Sequence, residues 1–214
     1  SSLWEPEWEG KWKYIVFENL EKVIIPKGAT KLAKDMSDFA EVFGNVPAFE
    51  VEEGNTSFVA ENNVIYSYDK KTLLFYPRSK EDKEFEIPET VEVIGKGAFL
   101  YVDNLHVILP ENLKEMEQFS FYEKSNSNVY IYTNGSKPNP KEMMSNACVN
   151  VSGLCIDKTE DGESEQIWID YFEKIDNGRI YEAWLEDLTT ILAPNYVDSP
   201  TLKVSGYGYF DTDK

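Results

Sequence analysis

Apolar residues recur at a fixed spacing in the middle of the chain. The residues of one apolar set each lie 22 positions before their counterparts in a second set: Ile87, Pro88, Val91, Ile94, Ala98 and Phe99 precede Leu109, Pro110, Leu113, Met116, Ser120 and Phe121. A repeat unit of this length supplies a short strand and a bend, and one unit cannot bury its apolar side alone. The pattern therefore predicts stacked units that share one core, which is a solenoid.

The repeat begins before these two copies. Residues 19–26 have the same spacing, and their order of asparagine and apolar positions recurs at residues 45–51. Pro26 ends the first predicted strand because proline cannot donate to a strand ladder. Between the two segments, residues 33–44 predict a longer bend with a short helical turn that is closed by Gly44. The apolar side chains of this turn are Met36, Phe39 and Phe43.

The period is interrupted between residues 52 and 84. Two β-rich runs are separated by a polar Asp-Lys-Lys sequence, which predicts a β-hairpin over residues 64–76 inserted in the solenoid. Packing accounts for the regular repeats but not for an insertion, so this hairpin is a candidate for function. Its candidate binding residues are Tyr66, Tyr68 and Tyr76.

Two more strand positions follow the central copies. Residues 128–132 fill the next position, 22 residues after residues 107–109, and residues 149–156 predict one last strand region. After residue 156 the repeat is lost, and residues 157–163 form an acidic loop. The solenoid is therefore expected to end near residue 156.

The stretch after this loop carries a hairpin signal. Asn177-Gly178 lies between two β-rich runs, and Asn-Gly is the strongest short-range hairpin signal, so a hairpin is predicted over residues 167–185. A helix over about residues 180–192 is the alternative, because apolar residues there fit one helical face. The hairpin register would also set Glu173 opposite Glu182, which is a like-charge pair.

The end of the chain is predicted to be rich in strands. Residues 202–210 alternate apolar and polar positions, as a strand does. Residues 157–214 are therefore expected to form a β-rich C-terminal cap or a small module. The candidate binding residues in this region are Trp168, Tyr171 and Trp184.

Three tryptophans lie near the start of the chain. Trp4, Trp8 and Trp12 are spaced four apart, which places them on one face of a helix or of a strand. A solenoid needs a cover for the open apolar end of its first repeat, and three indoles supply apolar area. Residues 1–18 are therefore predicted to form an N-terminal cap. An exposed aromatic platform for sugar or peptide is the alternative.

The charge balance excludes some classes of partner. The chain has 39 acidic and 21 basic side chains, and its net charge is −18. Such a field repels phosphate backbones and anionic lipid, so nucleic acid and membrane surfaces are not expected as partners. No apolar run approaches the roughly 20 residues of a membrane span. We therefore expect a soluble chain without membrane insertion.

Residues with catalytic or zinc-binding chemistry are few. His106 is the only histidine, and no serine or cysteine nucleophile lies in a recognisable elbow, so a surface histidine is expected. One histidine with Cys148 and Cys155 lacks the ligand count and spacing of a zinc site. The two cysteines are expected to be buried thiols, and a disulfide is the alternative if the protein is secreted.

The acidic loop does not fit a calcium-binding EF-hand. Ligands would fall at Asp157, Thr159 and Asp161, but the required glutamate position is occupied by Trp168. A looser oxygen site among the carboxylates of residues 157–163 is the alternative to solvated charge. Glycine-rich phosphate-binding loops are not found, and sequence spacing cannot identify a pair of glycosidase carboxylates. We therefore predict no cofactor and no metal.

The centre of the chain resembles a known family. The order of residues is similar to that of BspA-type leucine-rich repeats at 49–55, 62–66, 69–74 and 76–77, and at Ile87-Pro88-Glu89-Thr90-Val91-Glu92-Val93-Ile94-Gly95-Lys96-Gly97-Ala98-Phe99. The resemblance covers residues 45–122 and is fainter over residues 19–44 and 123–156. It implies a mainly β solenoid of α/β repeats.

The sequence departs from the family pattern at two places. The family usually has a cysteine shortly after the Ala-Phe pair, where this chain has residues 100–102, Leu-Tyr-Val. The buried cysteine ladder is therefore replaced by larger apolar groups. The second copy also has Glu117 for the glycine and Ser120 for the alanine, which suggests a looser bend.

Three segments and one function are expected. Residues 1–18 form the N-terminal cap, residues 19–156 the BspA-like leucine-rich repeat solenoid, and residues 157–214 the C-terminal cap. Similar proteins are found on or outside host-associated bacteria and in some parasitic protists, and some are adhesins.

The resemblance thus implies a non-catalytic interaction protein, secreted or on the cell surface, that binds a host or microbial protein or glycan through one solenoid face. Repeat folds present broad faces that suit such binding. The alternatives are a carbohydrate-active or metal-dependent enzyme in the C-terminal region, and a structural spacer module of a larger surface protein.

Overall fold

A computed structural model describes residues 19–123, 128–174, 180–186, 203–205 and 209–211 of the protein. The strands are β1 (Lys22–Ile25), β2 (Ala48–Val51), β3 (Phe58–Glu61), β4 (Val64–Ser67), β5 (Thr72–Phe75), β6 (Glu84–Glu86), β7 (Val93–Ile94), β8 (His106–Ile108), β9 (Glu115–Met116), β10 (Phe121–Tyr122), β11 (Tyr130–Tyr132), β12 (Cys148–Val149), β13 (Val151–Asp157), β14 (Ile180–Glu186), β15 (Lys203–Ser205) and β16 (Tyr209–Asp211). The helices are α1 (Met36–Phe43) and α2 (Glu163–Glu173). The predicted N-terminal cap and the Asn177-Gly178 turn lie outside the described residues.

Parallel ladders run along three sides of the solenoid. The largest sheet has the order β16-β15-β14-β13-β11-β8-β6 and is parallel from β6 to β14. The second has the order β3-β4-β5-β7-β9 and is parallel from β5 onward. The third contains β10 and β12, and the Phe99 amide extends it by donating to the Ser120 carbonyl. Each turn of the chain crosses these three sides, as the predicted mainly β solenoid requires.

The 22-residue spacing is the step between neighbouring turns. Phe85 of β6 pairs with Val107 of β8, and Val93 of β7 pairs with Glu115 of β9. The repeated apolar residues fill the core: Ile87, Val91, Ile94, Phe99, Leu109, Leu113, Met116 and Phe121 are all buried. The Phe99 ring stacks on Phe121, with centroids 4.7 Å apart and an interplanar angle of 10°. The predicted repeat core is therefore confirmed.

The step to the next turn is longer than predicted. Tyr130 of β11 pairs with His106 of β8, so the offset is 24 residues and not 22. The strand at residues 128–132 exists, but its register is shifted by two positions. A shift of two keeps the same side chains on the same face of the sheet, because side chains alternate with period two.

The second central bend keeps the turn hydrogen bond of the first, at a slightly longer distance. The Ala98 amide donates to the Gly95 carbonyl over 3.1 Å, and the Ser120 amide donates to the Glu117 carbonyl over 3.3 Å. The Glu117 carboxylate also accepts the Lys96 amide over 2.7 Å. The two substitutions that suggested a loose bend therefore supply hydrogen bonds of their own, since Ser120 Oγ lies 2.6 Å from the Glu117 carbonyl oxygen.

The predicted hairpin forms, and it is part of the main structure. β4 and β5 are antiparallel, and β3 adds a third antiparallel strand to them. β5 then pairs in parallel with β7, so the hairpin feeds directly into a solenoid sheet. β4 is buried on both faces: Val64 and Tyr66 belong to the solenoid core, and Ile65 belongs to a second apolar cluster.

The second cluster lies in the N-terminal unit of β1, α1 and β2. The short helix predicted from residues 33–44 is α1, and its Phe39 ring meets the edge of Phe75 at 5.2 Å. Asp35 accepts the Ser37 amide at the helix start, which satisfies one of the orphan amides there. Gly44 ends the helix as predicted, where a Cβ would lie 2.6 Å from the Ala40 carbonyl oxygen. Its backbone is right-handed, with φ of −56°.

The structure contradicts both interpretations of the region after residue 163. Residues 163–173 form α2, and β14 pairs in parallel with β13, so the chain makes a strand-helix-strand crossover. The hairpin over residues 167–185 is wrong because its first half is helical. The alternative helix is wrong over residues 180–186, which are a strand. Beyond it β15 and β16 add antiparallel strands, so the expected strand-rich end also contains a helix.

The two cysteines are buried as thiols, as predicted, Cys148 in β12 and Cys155 in β13. Within the described parts of the chain, neither helix is long and apolar enough to cross a lipid bilayer.

Candidate functional site

Two of the three candidate tyrosines of the hairpin, Tyr66 and Tyr76, are part of the apolar core. Tyr66 packs in the solenoid core, and the Tyr76 ring stacks on Phe99 at 5.1 Å. The Tyr76 hydroxyl donates to Asp82 over 2.8 Å. Burial, with the Asp82 carboxylate nearby, raises the pKa of Tyr76 above its usual range. These rings are covered by protein, so they offer no face to a partner. Tyr68, in the hairpin turn, is 60% exposed.

The candidate aromatic residues of α2, Trp168 and Tyr171, are also part of the apolar core. Trp168 is fully buried, and its Nε1 donates to the Ser136 carbonyl over 3.0 Å. The Tyr171 ring lies edge-on to Trp168 at 5.9 Å, and its hydroxyl donates to the Met144 carbonyl. These two residues anchor α2 to the last turns of the solenoid. Trp184 pairs with Cys155 in the β13–β14 register, and its side chain is outside the described residues.

A different set of side chains comes together on the outer side of the largest sheet. Side chains alternate across a strand, and Phe85, Val107 and Ile131 point into the solenoid core. Their neighbours in β6, β8 and β11 therefore face outward. We call this surface the sheet face; its described side chains are Glu84, Glu86, His106, Ile108, Tyr130 and Tyr132.

Register arranges the sheet face in two rows that cross the strands. The first row is Glu84, His106, Tyr130, Gly153 and Glu182. The second row is Glu86, Ile108, Tyr132, Cys155 and Trp184. Each row therefore begins with a glutamate on β6 and continues through apolar or aromatic positions on β8 and β11. The first row ends at Glu182 of β14, and the second ends at the predicted candidate Trp184.

The aromatic side chains of the rows contact one another. The His106 ring meets Tyr130 edge-on at 5.4 Å and lies 5.9 Å from Tyr132. Tyr132 and Cys155 are buried, and Ile108 packs against them. This small cluster is separate from both apolar cores.

The electrostatics of the sheet face are dominated by acids. Glu84 and Glu86 are exposed. Burial lowers the pKa of His106 below its usual value, and the Glu84 carboxylate partly offsets this. The imidazole is therefore neutral near pH 7, and the rows carry no described positive charge.

Clusters of side chains that could bind a metal are not found in the described part of the chain. No group of three or more histidine, cysteine, aspartate or glutamate side chains is placed to hold a metal there. In the acidic loop, Asp161 and Glu163 both pair with Lys137. The Lys137 ammonium lowers the pKa of Asp161 to about 2. Two of the four carboxylates proposed for a loose oxygen site thus share one lysine as their ion-pair partner.

Sequence reasoning missed the sheet face, although a signal was present. Tyr130-Ile131-Tyr132 and His106-Val107-Ile108 alternate with period two, and the repeat places Val107 and Ile131 inside. The residues on either side must then face outward. Aromatic residues at outward positions of a repeat strand, where charged or small residues would suffice, are the pattern that identifies this face.

Comparison with known proteins agrees with this geometry. Residues 74–156 match the model of the BspA type leucine-rich repeat region, in six copies. Over this segment the chain is similar to BspA-type leucine-rich repeats. The matched repeats contain β6, β8 and β11, the three strands that carry the described sheet face, so the face belongs to the repeat region itself.

Solved structures similar to this chain come from bacterial repeat proteins. A leucine-rich repeat protein from Eubacterium ventriosum is 22% identical, with a TM-score of 0.46, over 65% of this chain and 43% of its own. A leucine-rich cell surface protein from Faecalibacterium prausnitzii is 20% identical, with a TM-score of 0.48, over 64% and 42%.

A third similar structure is the pneumococcal vaccine antigen PcpA, which is 21% identical with a TM-score of 0.41, over 64% of this chain and 39% of its own. The aligned part thus spans about two fifths of each of these chains. Among proteins of curated function, none matches this chain.

Proposed function

We propose that this protein is a non-catalytic interaction protein that binds a protein partner through the sheet face. One observation carries the proposal: His106, Ile108 and Tyr130 form a partly exposed aromatic surface on the outside of a repeat sheet whose core is complete without them. Tyrosine is enriched among the residues that dominate binding energy at protein interfaces. A stack of parallel strands also gives such residues a rigid, extended support.

The alternative enzyme in the C-terminal region has less support. It was placed around Trp168, Tyr171, Trp184 and nearby acids, and the Trp168 and Tyr171 rings are buried against the solenoid. A substrate could reach them only if α2 were displaced. The spacer alternative does not account for the aromatic rows.

The proposal places the protein outside the cell or on its surface. BspA-type repeats and an acidic, soluble exterior support this location. Antibody labelling of intact source cells, together with assay of the culture medium, tests it. Label that appears only after cell lysis would contradict the surface location without affecting the binding surface.

Partner binding is tested with variants of the sheet face. Purified chain is screened on protein and glycan arrays, and affinities for each binder are measured by surface plasmon resonance. Tyr130→Ala and His106→Ala should each weaken binding by about tenfold or more, since truncation of a central aromatic contact typically costs above 1 kcal/mol. Neither side chain belongs to the main core, so the thermal midpoint should change little.

Tyr68→Ala is the matched control, because it also removes an exposed tyrosine but lies in the hairpin turn. Its affinity should equal that of the unmodified chain. Binding that depends on Tyr68 and is unchanged in both sheet-face variants would overturn the assignment of the surface.

A further inference from the structure

The charges on the sheet face restrict the chemistry of its partner. Glu84 and Glu86 are alternate residues of β6, so their carboxylates lie on one side of the sheet, about 7 Å apart along the strand. Neither carboxylate is among those that form ion pairs with described lysines or arginines. The acids at this edge are therefore available to an incoming positive charge.

The aromatic side chains of the two rows would also attract a positively charged partner. Tyr130 and His106 follow Glu84 across the strands, and tyrosine rings attract lysine and arginine side chains through their negative faces. The first row therefore places a carboxylate on β6 next to aromatic positions on β8 and β11, where successive cationic side chains of a partner could dock. An anionic group at the same place would face both glutamates with no compensating positive charge in the described rows.

The charge of the whole chain acts in the same direction. A net charge of −18 produces a long-range field that speeds the approach of basic partners and slows that of acidic ones. Sulfated or sialylated glycans and nucleic acids are therefore disfavoured on this face. The local and overall fields agree in sign.

We propose that the partner presents an extended basic segment, with lysine or arginine at alternate positions, to the β6 edge of the sheet face. An extended chain repeats its side chains on one side every two residues, about 7 Å apart, which matches the spacing of Glu84 and Glu86. This inference rests on the proposed function and specifies its partner.

The test uses the whole chain and two synthetic peptides. One peptide alternates lysine with threonine, and the other replaces every lysine with glutamate. Surface plasmon resonance should detect binding of the lysine peptide and none of the glutamate peptide. Binding should weaken steeply as salt is raised, because exposed charge pairs are screened. Failure of the lysine peptide to bind at low salt would overturn the inference.

Paired variants separate the local site from the general charge. Glu84→Gln with Glu86→Gln should weaken lysine-peptide binding by about tenfold. The control is Glu41→Gln with Glu53→Gln, which removes the same charge from two exposed residues of the N-terminal unit. This control variant should retain most of its affinity for the lysine peptide. Equal losses in both double variants would show only attraction to an acidic protein and would overturn the site.

The inference and the proposed function can fail separately. An array partner that needs Tyr130 and His106 but is indifferent to the Glu84 and Glu86 substitutions would retain the sheet face and reject the basic segment. An array partner that is indifferent to all four residues would reject both.

Discussion

Glu123 follows β10 and is buried, with only 1% of its surface exposed. Neither of its carboxyl oxygens has a hydrogen-bond partner within the described structure. Burial, and secondarily the charge of Asp103, raises its pKa well above the ordinary value. The nearby Cys148 thiol has a pKa raised to about 12 by burial, and it contacts Tyr171, whose pKa is also raised. A thiol and a phenol cannot carry a positive charge, so neither group can form an ion pair with Glu123.

The buried carboxyl makes stability depend on pH. In the unfolded chain Glu123 loses its proton near its ordinary pKa, whereas in the folded chain it keeps the proton to higher pH. Between these two values the native state binds more protons, so stability falls as pH rises. Glu123→Gln should remove this slope and stabilise the protein most at neutral pH. Urea denaturation at several values between about pH 5 and pH 8 measures it.

Exposed Glu53→Gln serves as the control for Glu123→Gln and should leave the slope as it is. A Glu123→Gln protein with the same slope as the unmodified chain would mean that the native state does not hold this proton.

Two residues at equivalent repeat positions show how context decides which side chain a bend accepts. Gly97 has φ of +66°, and Phe119, 22 positions later, has φ of +57°. A Cβ at Gly97 would lie 3.0 Å from Ser37 Oγ, so α1 leaves no room for a side chain there. At Phe119 the ring instead meets Tyr122 at 5.2 Å. A left-handed backbone is unfavourable for a bulky residue, so this contact offsets part of the strain.

At the scale of elements, α2 closes the solenoid after its last repeats. Ser136 is its anchor point, because the Ser136 carbonyl accepts both Trp168 Nε1 and the Ser164 hydroxyl, over 3.0 and 2.7 Å. The Trp168 indole enters the same core as the repeat residues. The helix therefore covers apolar side chains of the last repeats, in a region where the sequence predicted strands.

Trp168→Ala should destabilise the protein by about 3–5 kcal/mol, since it leaves a large cavity and removes one of the two hydrogen bonds to the Ser136 carbonyl. Equilibrium unfolding in urea gives the change. Gln166→Ala, on the exposed side of the same helix, is the control and should cost less than about 0.5 kcal/mol. A Trp168→Ala loss as small as that of the control would mean that α2 does not close the core.

The elements that could be predicted from sequence are those set by periodicity. The turns at residues 84–122, the hairpin strands β4 and β5, and α1 all follow from local spacing. α2 was missed because Asn177-Gly178 gave a strong local hairpin signal, whereas Trp168, Tyr171 and Phe172 have the spacing of a helical face.

The binding surface was harder to predict than the fold. A buried tyrosine such as Tyr76 and a partly exposed one such as Tyr130 look alike in sequence, because burial depends on the register between strands distant along the chain. Once Val107 and Ile131 are known to be inside, the outward position of Tyr130 follows. The sheet face therefore becomes visible only when the pairing of turns is known.

At the scale of the whole molecule, the two apolar cores are joined through shared strands, and β4 is one of them. Ile65 of β4 packs in the N-terminal cluster, while Val64 and Tyr66 on its other face pack in the solenoid core. Polar contacts add to this connection. Lys96 forms an ion pair with Asp35 at the start of α1, and Arg78 donates to the Asn45 side chain over 2.7 Å. Loss of either core would thus expose one face of β4.

This shared strand predicts that the described units unfold together. Ile65→Ala should destabilise the whole molecule by about 2–5 kcal/mol, because it opens a cavity at a fully buried site. Calorimetry should show one transition, shifted to lower temperature, and near- and far-ultraviolet circular dichroism should change together. Ile24→Ala, at an exposed position of β1, should leave the midpoint nearly unchanged. If Ile65→Ala instead splits the transition in two, or lowers only one of two existing transitions, then the N-terminal unit and the repeats are separate cooperative units, and β4 belongs energetically to only one of them.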